Sequence, residues 1–218
     1  MTGNTLKLGL ASIVVGLAAA ASATAATVTL SYGGQKDGRQ NVSISSAVGL
    51  NQTVSAGMFT FNVKKDGGMG LPDAIKTFCI DPQFVQHGSK TYEVVELTAA
   101  PEPHPYGYLS AEQSKAIAQL WAYVFSTGTP VGSLGVAFQL AVWEIAWESS
   151  EAGYTVWDLN DGNFTVNSST ARNTAQGYLN AINEDSLAAG LKALVNNSTQ
   201  DQIFLFGNNI AVPTPTAA

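Results

Sequence analysis

The stretch VAFQLAVWEIAW, residues 136–147, decides how this chain is read. Wound as a helix, it places Gln139 on one stripe with Val136, Trp143 and Ala146, so that a carboxamide faces the interior rather than water. Glu144 and Glu148 then fall on the wetter side, and Ser133 is the expected cap.

Working outward from this helix, the periodicity changes. Between Thr27 and Leu97, TVTLSY, NVSIS, MFTFNVKK, IKTFCID and YEVVEL are short β-prone runs separated by glycine-rich breaks, the pattern of antiparallel strands. The proline-rich link PEPHPYGYLS ends that region. Ser110, with Gln113 three residues on, then has capping-box spacing and opens a helix through Phe125. Further on, YTVWDLNDGNFTVN predicts a hairpin, SSTARNTAQGYLNAIN and SLAAGLKALV predict helices, and DQIFLF predicts a final strand. The expected fold class is α+β: an N-terminal antiparallel β-sheet or sandwich region, a helical subdomain and a C-terminal strand, in one domain over residues 26–208.

Composition narrows the function. With a net charge of −6 and no Lys/Arg cluster beyond Lys64 and Lys65, the chain has no footprint for a phosphate backbone, so nucleic acid is not an expected partner. The N-terminus carries Lys7, an apolar run from Leu8 to Ala21 and the small-x-small site Ala23-Thr24-Ala25. It reads as a signal peptide over residues 1–25, so the chain is expected to be exported. The apolar run is short for a membrane span. Residues 209–218 read as a loose tail.

Export sharpens the reading of the one cysteine, Cys79, which has no partner for a disulfide in its own chain. A lone cysteine is ordinarily a small buried hydrophobe. The alternatives are an intermolecular disulfide, a Cys/His hydrolase using His87 or His104, or a nucleophile aimed at a glutamine. The hydrolase lacks an orienting Asn or Asp at a recognisable spacing. In the last alternative, the thiolate attacks the side-chain carbonyl of Gln139, expels ammonia and leaves an internal thioester, provided water is excluded and the carbonyl is polarised. Such a bond can acylate an amine or hydroxyl on another surface. Cys79 and Gln139 are 60 residues apart. Each lies in an apolar setting: Phe78 and Ile80 flank the cysteine, while Phe138, Val142 and Trp143 surround the glutamine.

Phe78-Cys79-Ile80 followed by Phe138-Gln139-x-x-Val142-Trp143 resembles the paired motifs of the thioester domains of bacterial surface adhesins. The resemblance implies a mixed β and α domain whose Cys79 and Gln139 form a thioester. It also implies attachment to a protein amine or a polysaccharide hydroxyl on a surface or matrix, with one reaction per molecule rather than turnover. The C-terminal run DQIFLFGNNIAVPTPTAA is similar to the run-up to the Pro-Glu-Pro sorting signal of Gram-negative bacteria. Thr214 stands there in place of the glutamate, and no membrane span or basic cluster follows; a membrane partner is expected only if such an anchor lies beyond this sequence. No cofactor or metal is expected: DLNDGN puts Gly162 where a calcium ligand is needed and no glutamate closes the loop. Trp121, Trp143 and Trp147, at helical spacing, are expected in the core rather than in a sugar groove. The competing reading is a passive extracellular structural or sugar-contacting module in which Cys79 and Gln139 are ordinary core residues.

Overall fold

The computed structural model describes residues 25–47, 49–82, 88–101, 107–148, 157–167, 169–182 and 186–207. Residues 1–24 of the signal-peptide assignment, the tail assignment and both histidines lie outside them. The chain is an α+β protein with antiparallel sheets. Six strands, β1 (Ala26–Gly34), β4 (Phe59–Lys65), β5 (Ala74–Cys79), β6 (Ser89–Val95), β8 (Leu191–Val195) and β9 (Gln202–Leu205), close into a barrel in the order β1-β4-β5-β9-β8-β6. A second sheet, β3-β2-β7, is built from β2 (Gln40–Ser46), β3 (Asn51–Ala56) and β7 (Phe164–Val166). Among the described residues, three α-helices, α1 (Ala111–Phe125), α2 (Ser133–Trp147) and α3 (Thr170–Ala181), and a short 3-10 turn at Leu97–Ala99 accompany the sheets.

Helix α2 is the pivot. Every residue from Gly135 to Trp147 is buried, because it packs against α1 and α3 on one side and against β5, β7, β2 and β3 on the other. A helix apolar on all sides belongs in such a centre. Its start is fixed by glycine: Gly132, the N-cap residue, has φ +59°, and its N–H donates to Asp37 O in the β1–β2 turn. A Cβ on Gly38 would come within 2.6 Å of the Gly132 Cα, so the two segments touch only because neither carries a side chain there. Ser133 is therefore the first helical residue and not the cap.

The Ser110–Gln113 capping box forms as the spacing predicts, and Gln113 does more than close it. While its Oε1 accepts from Ser110 N, its Nε2 donates to the carbonyls of Ile145, Ala146 and Glu148, which the end of α2 leaves without helical partners. One side chain thus starts α1 and finishes α2.

Several elements differ from the sequence expectation. SLAAGLKALV, whose Ala, Leu and Lys favour a helix in isolation, contains β8: Gly190 at φ +82° interrupts the run, and Leu191–Val195 is captured between β6 and β9. The strand β3 was not foreseen in the polar run NQTVSA, which pairs along β2 through six residues. Of the expected hairpin YTVWDLNDGNFTVN, residues 154–156 lie outside the described residues; its second half forms β7, which pairs with β2. Finally, Glu144 and Glu148 are not on a wet face: they are 0% and 3% exposed, because α3 and the turn before β7 cover the far side of α2. The three tryptophans Trp121, Trp143 and Trp147 are core residues.

Candidate functional site

The site begins just beyond the β4–β5 ladder. The β4–β5 ladder ends at the pair Phe59↔Thr77, leaving Cys79, two residues later, with no strand on that edge among the described residues. In an antiparallel ladder the N–H and C=O of one residue face the same neighbour. At Cys79 both groups meet the carboxamide of Gln139: Cys79 N donates to Gln139 Oε1 at 2.9 Å, and Gln139 Nε2 donates to Cys79 O at 2.7 Å. The glutamine side chain therefore stands in for one residue of the missing strand, and joins α2 to the barrel. Cys79 and Gln139 are both 0% exposed, and the fold brings them together from 60 residues apart.

On its other edge Cys79 faces β9, directly opposite Gln202. Since the backbone groups of Cys79 are turned toward Gln139, this is a non-hydrogen-bonded pair. Such pairs bring opposing Cα atoms to about 4.5 Å and their side chains closest. The next rung confirms the phase: Ile80 N donates to Asp201 O at 2.9 Å. Strand alternation puts Thr77, Cys79 and Gln202 on one face with Phe59, Phe61 and Ile75, all buried in the barrel.

Gln202 is the functional candidate that sequence reading missed. It is fully buried; its Oε1 accepts from Thr77 Oγ1 at 2.8 Å, but its Nε2 has no hydrogen-bond partner among the described residues. A buried amide with idle N–H groups costs about 1–3 kcal/mol. DQIFLF showed only a strand; the signal available was a polar residue opening an apolar terminal strand, which becomes informative only once its register against Cys79 is known.

The residues foreseen as the supporting pocket are all buried, but they divide between two faces. Phe78 points away from the sulfur and packs on Phe138 with ring centroids 4.5 Å apart, in a cluster with Trp121 and Phe125 that glues the barrel to α1 and α2. Ile80 shares the face of Phe78, while Val142 lies within α2. Trp143 reaches the sulfur side. Its indole N–H lacks a conventional acceptor, yet it lies close enough to Cys79 to favour the thiolate.

That help is outweighed. Burial, then the negative charge of Asp81, hold the Cys79 thiol well above its ordinary pKa. The sulfur sits 2.9 Å from Asp81 O, to which its S–H donates. Asp201, beside Gln202, is raised to about 7, chiefly by burial and further by Asp81, against a hydrogen bond from Asn196 N. The resting site therefore holds a neutral thiol, two carboxamides of unequal satisfaction, and a carboxyl that changes charge near neutrality.

Among the described residues no three His, Cys, Asp or Glu side chains converge as metal ligands. No helix of the described residues is long and apolar enough to cross a membrane. A scan against protein-family models finds no match to this chain, and neither the curated proteins nor the solved structures compared with it yield one.

Proposed function

We propose that this is an exported, surface-associated attachment domain in which Cys79 condenses with a buried glutamine to form an internal thioester that acylates an amine or hydroxyl on a partner surface. The supporting observation is the Cys79 environment: a lone buried thiol in contact with Gln139 on one edge and paired across the ladder with Gln202 on the other.

Of the two, Gln202 is the better acyl donor. The Gln139 carboxamide is hydrogen-bonded at both ends to the Cys79 backbone, and expelling its nitrogen would break its bond to Cys79 O. The Gln202 nitrogen has no such bond to lose, and its departure removes an unsatisfied buried group. Gln139 then acts as the clamp that holds the nucleophile's backbone. The one observation favouring Gln139 as the donor instead is that Cys79 N already polarises its carbonyl.

Intact mass tests the reading. Mature protein should be lighter by one ammonia and unreactive to thiol reagents until methylamine opens the bond, and Cys79→Ala and Gln202→Ala should carry no such loss. Peptide mapping then locates the cross-link, at Gln202 by this proposal. An unmodified mass with a thiol that alkylates in folded protein would leave a passive extracellular module.

A further inference from the structure

Resting on the reading of Gln202 as acyl donor, we propose that the Thr77 hydroxyl is the oxyanion donor of this site, both when the thioester forms and when it is consumed. Thr77 is 0% exposed and its Oγ1 donates to the very oxygen, Gln202 Oε1, on which charge would collect, at 2.8 Å. It is placed there by the sheet. Thr77 and Cys79 are alternate residues of β5, so both project onto the face of Gln202, the cysteine directly opposite and the threonine on the diagonal that a glutamine side chain can span.

The bonds balance without a further reactant. Cys79 Sγ leaves its hydrogen bond to Asp81 O and forms a bond to Gln202 Cδ, the C–N bond breaks with its electron pair on nitrogen, and the thiol proton ends on the departing ammonia. In the tetrahedral intermediate between these events Oε1 is an alkoxide, and the hydroxyl already aimed at it tightens. During transfer an incoming amine adds to the same carbon, the alkoxide re-forms at the same oxygen, and sulfur leaves with the amine's proton. A preorganised donor in a site closed to water stabilises both intermediates more than it stabilises the neutral amide or thioester.

Thr77→Val keeps the shape and deletes the donor; Thr77→Ser keeps the donor. In protein whose thioester is confirmed by mass, methylamine opening of Thr77→Val should slow by about 10- to 1,000-fold relative to wild type, the range for loss of one such donor. Thr77→Ser should stay within about threefold, the hydroxyl being retained. Folded Thr77→Val that never closes the bond supports the proposal as well, because closure passes through the same alkoxide. Should Thr77→Val not fold, Thr77→Ala against Thr77→Ser carries the same comparison. Opening of a hydroxyl-free variant at the wild-type rate overturns the role of Thr77 and leaves the thioester standing, whereas an intact amide in wild type sinks the thioester and this inference with it.

Discussion

Gln139 and Gln202 are the same residue type, equally buried, and touch the same cysteine from opposite edges of β5. Their amides nevertheless differ in kind. Gln139 is saturated, donor and acceptor both spent on the Cys79 backbone, whereas Gln202 spends its oxygen on Thr77 and leaves its nitrogen idle. The lesson is that burial does not mark a reactive amide. Under the proposed chemistry hydrogen-bond accounting separates the two, because a saturated amide is stabilised where it stands and a half-paired one would gain by losing its nitrogen.

The largest effect that would break this contrast is chemical and all-or-none. Gln202→Ala should abolish the ammonia loss while Gln139→Ala leaves at least part of the population cross-linked, read by intact mass and mapping. The opposite pattern reverses the roles of the two residues. Next in size is stability: Gln139→Ala exposes no surface but leaves the Cys79 N–H and C=O unpaired, and should cost about 2–5 kcal/mol in urea unfolding. Measured in a Cys79→Ala background, where no cross-link can form, that loss should persist if Gln139 is a clamp.

A third test uses the other buried polar pair of α2. Burial, then the charge of Glu148, raise the Glu144 carboxyl to about 9. Glu148 is raised in the same direction by burial, although its Oε1 accepts from Asn163 N and Phe164 N. For Glu144 the unfolded chain releases its proton near the ordinary value of 4.5 and the folded chain holds it to about 9, so the native state binds more protons across that window. Stability should therefore be greatest below the lower value and fall as pH rises through the window, by up to about 1.4 kcal/mol per unit. Glu144→Gln should flatten that slope in melts taken between pH 5 and 9. The smallest expected change is at the helix junction, where Gln113→Ala removes both the capping box and the Nε2 cap on α2. It should cost about 1–2 kcal/mol and leave the cross-link chemistry intact.

Much of the frame was legible because it is written in local pattern. Period-two runs marked β1, β2, β4, β5 and β6, and the capping box at Ser110 and Gln113 marked α1. The aromatic α2 helix showed in the apolar stripe that carries Gln139, and Cys79 stood out by being the one cysteine of the sequence. The misreadings share a cause. β8 has helical composition and becomes a strand because β6 and β9 offer edges to pair with. Glu144 and Glu148 look like a wet face until α3 and the turn before β7 close over them.

By itself, then, the sequence singled out Cys79 as the lone thiol and marked most, though not all, of the strands and helices, since thiol chemistry and short-range periodicity are properties of the residues and their neighbours in the chain. It also flagged Gln139, through its place on an apolar stripe. Only the tertiary structure decided that the β4–β5 ladder stops two residues short of Cys79, that α2 supplies an amide to fill that gap, and that β9 returns in the register which sets Gln202 across from the sulfur. Register and edge vacancy arise from pairing between segments distant in the chain, and no local pattern encodes them.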